Sequence, residues 1–203
     1  MQYCEDIITG IDGSEATFVR YVLDNSEEID PKRQRPSVLV IPGGGYAMTS
    51  DREAEPIAMQ FLAAGCNAFV LRYSVAPSVF PTALLEAAEA VQRIRAHADD
   101  WHCDPSKIAV IGFSAGGHLA AHYSTMYDCK EVREVFPEMS VGFLGTSGGN
   151  TVSDRLLTLI NTNFPSECTN HPNRSFNSSE LMEAAKHRGI VIHPWTYTGM
   201  TLF

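Results

Sequence analysis

Hydrophobic positions in this chain fall into short solid blocks, separated by stretches in which they recur every three or four residues. Residues 37–41 (S-V-L-V-I) form an unbroken apolar run, the pattern of a strand covered on both faces, and the run stops at Pro42-Gly43-Gly44-Gly45. Residues 68–73 (A-F-V-L-R-Y) and 107–112 (K-I-A-V-I-G) repeat it. Helical faces lie between these blocks. Ile57, Ala58, Phe61 and Leu62 share one side of residues 53–64, which close at Gly65. Leu84, Leu85, Ala88, Val91 and Ile94 line one stripe of an alanine-rich helix that opens at Pro81-Thr82. Another helix follows Ser114 and runs to about residue 127. Residues 17–22, β-branched and aromatic, predict an edge strand. Strands alternating with helices of this length predict an α/β fold with a mostly parallel central sheet and helices on both faces. Beyond residue 140 the pattern weakens. It predicts a strand at 141–144 and a helix capped by Ser153 through about 160. A polar loop over 161–177, a helix over 180–187 and a last strand over 189–193 follow.

Composition changes this picture in one respect. The chain of 203 residues carries a net charge of −9, and all of it belongs to residues 1–140, which hold 20 acids and 11 Lys/Arg; residues 141–203 hold four of each. Alanine and asparagine shift at the same place. The shift predicts a boundary near 137–145, between a unit over 1–140 and an atypical segment over 141–203 of different origin; a loop-rich C-terminal part is the alternative. Clustered Lys/Arg is absent, which argues against nucleic acid as a partner. No apolar run reaches the ~18–20 residues of a membrane span. The first residues have neither the basic start nor the apolar stretch of a signal peptide. Cys4, Cys66, Cys103, Cys129 and Cys168 stand far apart, with no CxxC pair. The expectation is a cytoplasmic chain with reduced, inert thiols.

The string with the most chemistry in it is Gly112-Phe113-Ser114-Ala115-Gly116, a G-x-S-x-G between a buried strand and a helix. A serine on such a turn projects its hydroxyl into open space, small neighbours relieve crowding, and the helix N-terminus offers unpaired N–H groups to a developing oxyanion. The N–H of Ala115 is one such donor. A second glycine loop, Pro42-Gly43-Gly44-Gly45-Tyr46, also follows a buried strand, in the place of the loop that supplies the second donor. It has no G-K-[ST] and no G-x-G-x-x-G spacing, so phosphate or dinucleotide binding is not indicated.

Residues 36–138 resemble the alpha/beta-hydrolase superfamily, in the branch of small acetyl-esterase and xylan-esterase-like enzymes. The resemblance rests on VLVIPGGGYAMTSDREAEPIA, FVLRYSVAP, FPTALLEAAEAVQRIRAHADDW, DPSKIAVIGFSAGGHLAA and YDCKEVREVFPE, in order and spacing. It implies a serine esterase acting on small carboxylic esters, acetyl esters of carbohydrates among them, with no metal or other cofactor. Ser114 would be the nucleophile, and the N–H groups around Gly44, Gly45 and Ala115 the oxyanion donors.

A serine hydroxyl also needs a histidine base and an orienting carboxylate, in the chain order Ser, acid, His for this fold. Here the family's late acid and histidine motifs are not recognisable. By order alone, Asp154 with His171 or Asp154 with His193 are allowed, while Glu167 and Glu180 are weaker. His118 and His122, four apart on the helix after the serine, are expected to pack or reach the surface rather than act as the base; with no H-E-x-x-H they do not predict a metal site. Residues 140–203, with SSELMEAAKHRG and HRGIVIHPWTYTGMTLF, resemble the late part of glycerophosphodiester phosphodiesterases, without that family's early metal ligands. The alternatives to an esterase are thus a hydrolase fragment lacking acid and base, a glycerophosphodiesterase-like protein, and a non-catalytic binding module.

Overall fold

The computed structural model describes residues 1–139 and the two short strand segments Ile160–Asn161 and Ile192–His193. In chain order the elements are β1 (Gln2–Thr9), β2 (Glu15–Val22), β3 (Arg35–Ile41), a 3-10 turn (Asp51–Glu53), α1 (Glu55–Ala63), β4 (Asn67–Arg72), α2 (Thr82–Ala96), β5 (Cys103–Gly112), α3 (Ala115–Met126), α4 (Lys130–Val135), β6 (Ile160–Asn161) and β7 (Ile192–His193). The strands make one sheet in the order β1-β2-β4-β3-β5-β6-β7. β1 pairs antiparallel with β2 and β2 antiparallel with β4, while β4, β3, β5, β6 and β7 are parallel to one another. The expected mostly parallel sheet is therefore present, with an antiparallel edge.

The solid apolar blocks are explained by the two covered faces. Val38 and Val40 of β3, with Ala68 and Val70 of β4, meet Ala58 and Leu62 of α1. Leu39, Ile41, Phe69 and Leu71, the alternate positions, face Leu84, Ala88, Val91 and Ile94 of α2 and Leu119 of α3. The larger core forms on this second face. Phe18 stacks on Phe69 at 5.6 Å, Trp101 tilts against both rings, and the Arg20 guanidinium lies 4.7 Å over the indole. Asn67, fully buried at the start of β4, accepts the Leu23 N–H at 2.9 Å and donates to Trp101 O at 2.8 Å.

Three elements differ from the sequence pattern. β1 was not predicted: only Ile8 of its eight residues is buried, so it carries no apolar signature and is held by pairing with β2 along its whole length. β5 starts at Cys103 rather than 107. Its register against β3 jumps from Arg35–Cys103 to Ser37–Ile108, so 104–107 bulge outwards, closed by an Asp104–Lys107 ion pair at 2.6 Å. Ile160 belongs to β6, not to the end of a helix as the pattern suggests. The predicted elements at 141–144, 161–177 (beyond Asn161) and 180–187 lie outside the described residues.

Candidate active site

Three parallel strands, β3, β4 and β5, end at one edge of the sheet, and the two glycine loops leave from β3 and β5 there. Ser114 caps α3 with φ 50° and ψ −118°, a conformation that costs a non-glycine residue about 1–3 kcal/mol. The surrounding backbone enforces it. Phe113 N–H donates to Ile41 O at 3.1 Å, Gly116 N–H to Phe113 O at 2.8 Å and His118 N–H to Ser114 O at 2.9 Å. A Cβ on Gly112 would stand 2.2 Å from Gly116 O, and one on Gly116 would stand 2.1 Å from Ile41 O. The small residues on either side of the serine are thus a packing requirement. The turn leaves Ser114 exposed while its neighbours Gly112 and Ala115 are buried.

The β3 loop is pressed against this turn. A Cβ on Gly43 would lie 3.0 Å from Ser114 Cβ and 2.6 Å from Phe113 O. Gly43 O accepts Ser50 N–H at 2.8 Å, and Gly44 O accepts Ala47 N–H and Met48 N–H at 3.1 and 3.2 Å. The Gly43 N–H goes to Glu53 Oε2 at 2.9 Å. The N–H groups of Gly44, Gly45 and Ala115 find no acceptor among the described residues. The β3 loop that carries Gly44 and Gly45 thus touches the Ser114 turn through Gly43.

Behind this surface the loop is tied to the helix. Tyr46 is buried and left-handed at φ 58°; its carbonyl accepts Ala76 N–H at 2.8 Å and its hydroxyl is hydrogen-bonded to His118 Nδ1 at 2.7 Å. His118 is 5 % exposed and His122 1 %, so of the two expected alternatives both pack rather than reach the surface. His122 stacks on Phe80, and burial, with a smaller push from His118, holds its imidazole down to about 3. Of the other named partners, Asp154 and His171 lie outside the described residues. His193 ends β7. Gly112 pairs with Ile160 and Asn161 with His193, so its backbone stands one row beyond Gly112, two strands from β5, about 10 Å across the sheet at the Ser114 edge. Sequence reasoning did not find Glu53 or the Tyr46–His118 pair: their partners lie 10 and 72 residues away, and no local pattern encodes either. Among the described residues no group of three or more His, Cys, Asp or Glu is placed to hold a metal ion, and no helix is long and apolar enough to cross a membrane.

The chain is similar to several known proteins. It is 31 % identical over 108 residues to an acetylxylan esterase of Xylanibacter ruminicola, covering 53 % of this chain and 22 % of that one. It is 37 % identical over 109 residues to endo-1,4-beta-xylanase B of Butyrivibrio fibrisolvens, covering 52 % and 17 %. It thus spans about a fifth of the length of these relatives. Among solved structures, the alpha/beta hydrolase MGS-M1 from a Medee basin deep-sea metagenome library is 32 % identical, with a TM-score of 0.62 over 94 % of this chain and 79 % of that one. The acetyl ester-xyloside bifunctional hydrolase of Caldicellulosiruptor lactoaceticus is 27 % identical, with a TM-score of 0.60 over 87 % and 62 %. The fold is that of the alpha/beta hydrolases. The resemblance of residues 140–203 to glycerophosphodiester phosphodiesterases is withdrawn. It gains no support, and the family that matches the front of the chain continues past residue 140. That family's model, BD-FAE, matches residues 23–178, and with both glycine loops and the serine turn inside the match, the chain belongs to the BD-FAE family.

Proposed function

We propose that this protein is a carboxylic ester hydrolase in which Ser114 attacks the ester carbonyl and forms an acyl-enzyme. The observation that carries the proposal is the serine held in a strained, exposed turn that Gly43 packs against, while the N–H groups of Gly44, Gly45 and Ala115 have no acceptor among the described residues. Backbone donors held in place before the reaction stabilise a tetrahedral oxyanion without reorganising as its charge develops. Gly44, Gly45 and Ala115 fill that role here, and the N-terminus of α3 adds positive potential. The preferred substrate class is a small acyl ester, acetyl in the first instance, on a carbohydrate alcohol. This follows the names of two relatives, the acetylxylan esterase and the acetyl ester-xyloside hydrolase. His193 is the first choice of base, because β7 brings its backbone to the Ser114 edge, with His171 the alternative and Asp154 the orienting acid.

The test is labelling with a fluorophosphonate probe, together with acetyl-ester turnover, for the wild-type chain, Ser114→Ala and His193→Ala. Rapid labelling that is lost in Ser114→Ala, with turnover lost alongside it, supports the serine mechanism. Turnover that survives Ser114→Ala removes it. Wild-type labelling that is unchanged in His193→Ala moves the base elsewhere. A chain that binds acyl ligands but neither labels nor turns over is the fragment alternative.

A further inference from the structure

The oxyanion loop has a carboxylate against it that the reaction does not require. The Glu53 carboxylate accepts the N–H of Gly43 at 2.9 Å, and a Cβ placed on Gly43 would lie 2.8 Å from the same oxygen and 3.0 Å from Ser114 Cβ. A negative charge this close opposes a developing oxyanion, so its presence has to be offset by something it does for the loop. The local ion pairs leave it for that task. Arg72 binds Asp51 at 2.8 Å and Glu55 at 2.9 Å, the acidic residues on either side, and both bonds anchor the turn that carries Glu53. The Tyr73 hydroxyl is buried with no hydrogen-bond partner among the described residues; burial and the nearby Glu53 charge both push its ionisation up.

The hydrogen bonds of the loop account for the rest. The carbonyls of Gly43 and Gly44 are taken by Ser50, Ala47 and Met48, and the N–H of Gly43 by Glu53. What remains is the pair of N–H groups at Gly44 and Gly45. We propose that Glu53 is a positioning residue of the oxyanion loop. By occupying the Gly43 N–H it fixes the first peptide of the loop, and so sets Gly44 and Gly45 as the donors beside Ser114. The proposal rests on the serine reading above and names a residue that acts through the backbone, without touching substrate.

Two variants separate acceptor from charge. Glu53→Gln keeps an oxygen that can accept the Gly43 N–H and removes the charge; Glu53→Ala removes both. The expected result is an about 10- to 100-fold fall in acetyl-ester kcat and in fluorophosphonate labelling rate for Glu53→Ala, with KM within about twofold. That is less than the 10²–10³ lost with an oxyanion donor itself. Glu53→Gln is expected to retain a rate within about threefold of wild type. In parallel, the amide resonances of Gly44 and Gly45 in ¹⁵N-glycine-labelled protein should move in Glu53→Ala and stay in Glu53→Gln. Wild-type rates and unmoved glycine amides in Glu53→Ala overturn the proposal, as does a Glu53→Gln variant as slow as Glu53→Ala. If the wild-type chain fails to label, the serine reading fails, and the glycine amides still decide the role of Glu53. If Glu53→Ala does not fold, Glu53→Asp, which keeps the charge but shortens the reach to the Gly43 N–H, takes its place: slowed labelling with moved Gly44 and Gly45 amides is expected, and wild-type rates with unmoved amides overturn the proposal.

Discussion

The loops after β3 and β5 and the loop after β4 leave the same edge of the same parallel sheet, yet they treat their polar groups in opposite ways. After β3 and β5, three backbone donors remain unspent among the described residues, and Ser114 stands exposed in a strained conformation. After β4, the chain is closed from within. Glu86, 1 % exposed on α2, accepts the Ser74 N–H at 2.7 Å and the Ser74 hydroxyl as well. Two loops at this edge thus leave donors open, while the loop between them in the chain draws on a buried carboxylate to satisfy its own backbone. The difference follows from what an unpaired buried donor costs. It is tolerated where solvent or a ligand reaches it and is paired where a helix covers it.

The largest expected effect tests the open side. Gly116→Ala places a methyl 2.1 Å from Ile41 O and 2.3 Å from Pro42 O, both rigid backbone atoms. The turn cannot keep its contact with β3, and a loss of about 3 kcal/mol is expected, at the upper end of overpacking costs. Urea unfolding of the variant measures it. A loss below about 1 kcal/mol would mean that the serine turn does not depend on its close approach to β3.

The closed side should reveal itself through pH. Burial pushes the Glu86 carboxyl up from 4.5 to about 7, against the Ser74 hydrogen bonds and helped by the Asp12 charge. Its folded-state pKa lies above its unfolded one, so its contribution to stability is full below pH 4.5, falls as pH rises and is lost beyond pH 7. The span corresponds to about 3 kcal/mol. Asp12, held down to about 2 chiefly by the Ser14 hydroxyl, acts with the opposite sign and only as pH falls below its ordinary range. Denaturant midpoints taken between pH 4.5 and 7.5 should therefore decline in the wild-type protein and decline less in Glu86→Gln. Equal slopes would show that Glu86 is not a buried acid and that the contrast between the two loops is overdrawn.

This contrast also explains what could be read from the amino-acid order. Ser114, Ala115 and the two glycine loops were legible because a strand, a breaker and a helix in immediate succession encode them locally. The cores of β3, β4 and α2 were legible because two covered faces leave solid apolar blocks. β1 was not, since seven of its eight residues are not buried and its order comes from β2. Nor were the braces of the site. Glu53 reaches Gly43 across a turn, and His118 reaches Tyr46 from a different element, so each depends on tertiary placement. The tie from α2 to the β4 loop through Glu86 was missed for the same reason: its position on the helix reads as an ordinary polar residue among alanines.

The smallest effect refines the open side within one loop. Gly44 and Gly45 are both left-handed, at φ 137° and 64°, but their surroundings differ. A Cβ on Gly44 would meet Met48 O at 2.1 Å, whereas one on Gly45 would meet nothing within 4 Å. The φ of Gly45 is also one that L-residues reach at modest cost. Gly45→Ala should therefore lose only about 1 kcal/mol, the backbone penalty by itself. Gly44→Ala should lose more, because a steric clash with fixed backbone adds to the torsional strain. Thermal unfolding of the two variants side by side makes the comparison. If they lose the same, the loop relaxes around Gly44, and the bonds from Ala47 and Met48 to the Gly44 carbonyl do not hold its shape. If Gly45→Ala is the milder, the loop is rigid at Gly44, where fixed backbone crowds the Cβ, and open at Gly45.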